Sequence, residues 1–212
     1  MCTIILFDME AQDRILQKAH SLFMTYGIRS VSMDEIAAHL GISKKTIYQF
    51  YADKDALVDA VLEIEMNNMQ CDCATHKDAC ENAVHEIFLA MDTVEEMFSS
   101  FNPAILYDLE KYHPKGYKKF MDHHNTYLYS IIKNNLERGM AEGNYREGIN
   151  IDIIARYRIG TMFMIFNVNV FPNGKYQLGN LCKEITDNFL HGLLAPQAFP
   201  LITKYKLQRQ NK

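Results

Sequence analysis

The chain has 212 residues, 48% hydrophobic and 23% charged, enough apolar content for one or two domains with a substantial core. Its formal net charge is −4, and residues 1–54 carry six Lys or Arg against six Asp or Glu, which excludes any function that rests on bulk positive charge. The five cysteines follow no basic, apolar leader and predict reduced thiols in a cytoplasmic protein; the apolar run 159–171 is too short, and too polar at Asn167 and Asn169, to span a membrane.

Proline and glycine are sparse and no stretch alternates as a strand does, so the pattern predicts an all-α chain of about nine helices. The first, over 8–26, puts Ile15, Ala19, Leu22 and Phe23 on one face and ends at Gly27. Ser32 followed by Glu35 is a capping box that starts a second helix at Met33, with Ile36, Ala37 and Leu40 inward. Gly41 ends it where a positive φ is needed, Ile42 fills the turn, and Ser43 caps a third helix over 44–50. Ile47 and Phe50 of that helix face inward. Ser43, Lys44, Lys45, Thr46, Tyr48 and Gln49 stay outside, a short surface of donors with one aromatic. Two small-residue helices crossing at a glycine, with such a surface on the second, form the helix-turn-helix that reads DNA in the major groove.

Asp53 caps a fourth helix from Lys54 to about Cys73, leaving its first amides and Lys54 free to clamp one phosphate. Further helices are predicted over 78–99, 103–112, 115–142, 151–171 and 176–193. Pro103 and Pro114 suit first turns, Pro172-Asn173-Gly174 marks a turn, and Gly139 loosens the seventh helix before Gly143-Asn144 ends it. No phosphate loop, His-Glu-x-x-His or nucleophile elbow is present, so no catalytic residue, cofactor or metal ligand is assigned and the chain is not expected to be an enzyme. Cys71, Cys73, His76 and Cys80 do not follow a standard zinc spacing; a metal- or thiol-redox-sensing regulator built on Cys71, Cys73 and Cys80 stands as the alternative, with a carrier or enzyme on the same fold behind it. His123 and His124 point about 100° apart on an α-helix and do not pair as ligands, and Lys115, Lys118 and Lys119 read as a solvated face.

The run from Ile15 to Leu57 resembles the DNA-binding domain of the tetracycline-repressor (TetR) family of bacterial regulators: Leu22-Phe23 and Gly27 close the first helix, then come a Ser-capped helix, Gly41-Ile42-Ser43, and Tyr48, Phe50, Tyr51 and Lys54. The usual order of the two middle aromatics is exchanged here. The resemblance implies a helix-turn-helix domain over 8–55 with its motif at 33–52, a linking helix at 56–74, an effector-binding and dimerisation domain at 75–195, and a tail at 196–212. It implies a ligand-responsive repressor that binds a near-palindromic double-stranded operator as a homodimer, with no membrane partner. Lys44, Thr46 and Gln49 are expected at base edges, Lys45 between base and backbone, and Ser32, Tyr48, Tyr51 and Lys54 at phosphates. A small, partly apolar effector would meet Phe98, Tyr107, Phe120, Met121, His124, Tyr127 and Phe163, chosen by helical phase. The two copies would meet through Ile154, Met162, Ile165 and Phe166 and through Ile185, Phe189 and Leu193.

Overall fold

The computed structural model describes residues 2–98, 101–172 and 174–210, with side-chain surroundings from Ala11 onward. Ser99 at the end of one predicted helix, Asn173 of the predicted turn and the last two residues of the predicted tail lie outside the described residues. The fold is all-α. In chain order the helices are α1 (Cys2–Tyr26), α2 (Met33–Leu40), α3 (Lys44–Phe50), α4 (Lys54–Ala79), α5 (Ala83–Phe98) and α6 (Ala104–Tyr112). They continue as α7 (Pro114–His123), a π-helical turn (His124–Leu128), α8 (Tyr129–Ala141), α9 (Ile151–Met164), α10 (Leu178–Leu193) and α11 (Phe199–Gln210). Among the described residues no helix is long and apolar enough to cross a membrane.

The chain divides into two compact units. The first comprises Met1–Asn68 and Ser100–Met121. Its core is Ile15, Ala19 and Phe23 of α1, Ile36 of α2, Ile47 of α3, Leu57, Val58 and Val61 of α4, and Ile105 and Leu109 of α6. These are the i, i+3 and i+4 apolar positions of each helix, which is why three short helices hold one arrangement. Gly116 lets α7 lie close on α4: a Cβ there would meet Asp59 and Leu62 at 3.0 Å.

The second unit comprises Met69–Ser99 and Asp122–Lys212. Val84, Phe88, Leu136, Tyr145, Ala155, Phe189, Leu190 and Leu193 form its core, and Ile202 and Tyr205 of α11 complete it. Within this core Tyr145 donates to Asn135 Oδ1 at 2.9 Å, and Asn135 Nδ2 donates to Ala83 O at 2.9 Å, so the buried polar groups are matched.

Four differences from the sequence expectations have local causes. The fourth helix continues past Cys73 to Ala79. The helix expected over 151–171 stops at Met164, where Phe166 and Asn167 bond back to Phe163 and Met164 in a tightened turn and Asn167 Oδ1 takes the amide of Asn169. The tail is helical: proline is compatible with a first turn, so Pro196 and Pro200 begin helical segments rather than ending the fold, and Ile202 and Tyr205 reach the core. Gly139 does not loosen α8; a Cβ there would stand 2.1 Å from the Tyr145 ring, so its role is to admit that ring.

Candidate nucleic-acid interface

Ser32 sets the first helix of the motif. Its hydroxyl accepts the Glu35 amide at 3.2 Å, while its own amide donates to Glu35 Oε2 at 2.6 Å, and these bonds hold the Glu35 carboxyl below its ordinary range. Gly41 ends α2 at φ 66°, and Ile42 N returns to Ala37 O at 3.1 Å, the double closure that turns the chain sharply. Ser43 then caps α3, its hydroxyl accepting the Thr46 amide at 3.1 Å and pairing with the Thr46 hydroxyl at 2.8 Å. Ile36 and Ile47 are fully buried against each other's helices, which fixes the crossing.

The outward face carries Lys44, Lys45, Tyr48 and Gln49 exposed, with Thr46 half-buried. Lys44 is not a free cation. It donates to Asp34 of α2 at 2.8 Å, which raises its pKa, and its ammonium lies 6.0 Å from the Tyr48 ring. Lys45 makes no ion pair among the described residues.

Two residues expected at phosphates turn inward instead. Tyr51 is only 5% exposed and belongs to the first core; the exchanged aromatics put the buried ring here. Lys54 donates to Ile28 O at 2.5 Å and lies over the Phe23 ring, and burial lowers its pKa. Its ammonium thus closes the α1–α2 loop against α4. Asp53 does cap α4, its carboxylate accepting the Ala56 amide at 2.8 Å.

The residues chosen by phase as an effector pocket fall in both units. Tyr107, Phe120 and Met121 belong to the first, where Phe120 packs on the core and Tyr107 is 55% exposed because Ile105 and Leu109 take the buried side of α6. Phe98, His124, Tyr127 and Phe163 belong to the second and share an aromatic neighbourhood: Phe98 meets Phe166 edge-on at 5.8 Å, and His124, buried, meets Phe163 at 5.1 Å. His123, passed over in the sequence, stacks on Tyr127 at 5.2 Å and lies 5.8 Å from the His124 ring. The reason is the π-helical turn, whose extra residue breaks the 100° spacing on which the two histidines were separated. No sequence pattern marks that turn.

The cysteine cluster does not assemble. Cys73 is partly buried and its thiol is pushed up to about 11 by burial and then by Glu86 and Asp72. Cys80 donates to Lys77 O and accepts from Arg138. Among the described residues no three His, Cys, Asp or Glu side chains are placed to hold a metal ion. On the dimer face, Ile165, Phe189 and Leu193 are buried, the last two in the second core, while Ile154, Met162, Phe166 and Ile185 are half-buried.

Comparison with known proteins matches residues 15–61 to the family model described as bacterial regulatory proteins, tetR family. Over 187 residues the chain is 25% identical to the uncharacterized HTH-type transcriptional regulator YvaF of Bacillus subtilis, which covers 87% of this chain and 96% of that protein. It is 21% identical over 188 residues to the HTH-type transcriptional repressor KstR2 of Rhodococcus jostii, covering 86% and 90%. The crystal structure of a TetR-family transcriptional regulator from Agrobacterium tumefaciens shares the fold with a TM-score of 0.74 at 18% identity, covering 89% of this chain and 100% of that one.

Proposed function

The chain belongs to the tetR family of bacterial regulatory proteins and is a helix-turn-helix transcriptional regulator; from that premise we propose that it acts in the cytoplasm as a homodimeric repressor released from DNA by a small effector. The observation that carries the DNA reading is α3 itself, capped at Ser43 and pinned by Ile47 so that Lys45, Tyr48 and Gln49 stand outward on a rigid support. Lys44, Thr46 and Gln49 read base edges, Lys45 and Tyr48 meet the backbone, and Ser32 and Ser43 hold the two helices that present them. One recognition helix contacts too few base pairs for tight specific binding, so two copies engage two half-sites of a near-palindrome.

The second copy packs on α9, whose Ile153 and Tyr157 are 60% and 57% exposed and whose Gly160 has open space above it. These fall at i, i+4 and i+7, one stripe of the helix. Half-buried Ile154, Met162, Phe166 and Ile185 extend that face. An effector with an aromatic or apolar body enters the second unit beside Phe98, His124, Tyr127 and Phe163, where stacked rings already favour planar ligands.

The test is selection of genomic fragments by the purified full-length protein at near-physiological salt. A recurring near-palindrome protected by the protein is the expected result; binding without any sequence preference would overturn the regulator reading.

A further inference from the structure

The geometry points to a second DNA-contacting surface, outside the helix-turn-helix, on α6: Arg29 and Lys111, ordered by Tyr107 and Tyr112, grip phosphates of the operator backbone. This rests on the DNA-binding reading above and extends it to a part of the chain that the motif does not include.

The need for such a surface follows from the charges. Residues 1–54 are neutral overall. Within the motif Lys44 is paired with Asp34, and Lys54 is spent on Ile28 O. A duplex presents one negative charge per ~1.7 Å, and affinity depends on how many phosphates the protein neutralises. The motif's own supply is little more than Lys45.

Arg29 and Lys111 make up the shortfall within the same compact unit. The Arg29 guanidinium lies 5.2 Å from the centre of the Tyr112 ring. The Lys111 ammonium sits 5.4 Å from that ring and 5.2 Å from the Tyr107 ring, and it donates to the Tyr107 hydroxyl at 2.8 Å. All four residues are exposed, and among the described residues neither cation pairs with a carboxylate. Glu110, the nearest acid in sequence, lies toward Tyr117 instead. Aromatic faces hold these long side chains in place, which lowers the ordering cost of binding an anion.

The patch is tied rigidly to the reading helices. The Arg29 amide donates to the buried Asp108 carboxylate of α6 at 2.8 Å, and Asn102 N donates to Met24 O at 2.8 Å. At the other end of α6, His113 Nδ1 and Asp55 Oδ1 of the first turn of α4 are 2.6 Å apart. Arg29 also stands three residues before Ser32, at the end of the motif's first helix that crosses the DNA backbone. A cationic strip joined to that point continues the line of the phosphates.

The experiment measures operator binding against salt for the full-length protein, for R29A, K111Q and the double variant, and for Y107F, with K45A as the motif control. Both cations are exposed, so the variants should fold, which circular dichroism verifies. The double variant should lose roughly tenfold in affinity near physiological salt, with the slope of log K against log salt shallower by about 1.8, about 0.9 per lost phosphate contact. The loss should be the same for operator variants with altered bases, because a phosphate contact carries no sequence. Y107F should reproduce part of the Lys111 effect. A wild-type protein that binds its operator while the double variant keeps the same affinity and slope would overturn the proposal and leave the patch to a protein partner. A wild-type protein that binds no operator would instead remove the DNA reading on which it rests.

Discussion

Lys44, the first residue of the recognition helix, is held by Asp34 of the preceding helix at 2.8 Å, so a base-reading cation and its competitor are built into one motif. The pair is exposed and exchanges with solvent at little cost. Asp34 therefore sets how much of the Lys44 charge DNA can use. Asp34→Asn should tighten operator binding several-fold at low salt and steepen the salt slope by up to about 0.9, one added contact. Fluorescence anisotropy across a salt series measures both. An unchanged slope would mean that Lys44 does not face the nucleic acid.

Lys54 gives the opposite expectation. Its ammonium serves Ile28 O and the Phe23 ring, so Lys54→Met should reduce folding stability by about 1.5 kcal/mol, the scale of a hydrogen bond from a charged group. The salt slope of DNA binding should stay where it was. Urea denaturation and the same anisotropy titration separate a structural lysine from a phosphate clamp; a shallower slope at unchanged stability would return Lys54 to the backbone.

What the sequence made legible here is what neighbours decide. The caps at Ser32 and Ser43, the left-handed Gly41 and the inward Ile36 and Ile47 all follow from spacings of three or four residues, and the structure has each of them. The direction taken by Tyr51 and Lys54 depends on α1, more than twenty residues away in the chain, and no local pattern carries that information. The histidine pair was separated by assuming α-helical phase where the backbone makes a π turn. Tyr107 was placed inside by the same phase argument, but Ile105 and Leu109 had the stronger claim on the core.

Gly139 owes its identity to a ring six residues on. A methyl group there would meet Tyr145 Cδ2 at 2.1 Å, and Tyr145 cannot retreat because its hydroxyl is bound to Asn135 in the core. Gly139→Ala should cost about 3 kcal/mol, at the upper end for overpacking. Adding Tyr145→Phe should give no rescue, since the ring remains. Adding Tyr145→Leu should recover part of the loss, and thermal denaturation of the three variants gives the ranking.

The exposed stripe on α9 makes a prediction about assembly. Ile153→Glu with Tyr157→Glu puts two charges where a second copy would pack, and a buried unpaired carboxylate is among the costliest changes an interface can carry. Sedimentation should show the dimer mass replaced by the monomer mass at micromolar concentration, with operator affinity falling in step. A dimer that persists unchanged would move the interface away from α9.

His123 supplies a pH dependence whose sign can be worked out. Burial lowers its pKa from the ordinary 6.5, its Nε2 lies 3.0 Å from the Gln70 amide nitrogen, and its buried Nδ1 has no hydrogen-bond partner. With the amide donating to Nε2, a second ring proton would face that N–H. As pH falls below 6.5 the unfolded chain therefore takes up a proton before the folded one does, and stability drops through that window until the folded ring also protonates. His123→Phe keeps the stacking on Tyr127 and removes the titration. Unfolding free energies at pH 7.5 and 5.5 should thus fall more for the wild type than for His123→Phe. Equal losses would mean that His123 stays neutral, or charges, alike in both states, and that its buried ring nitrogen has no bearing on stability.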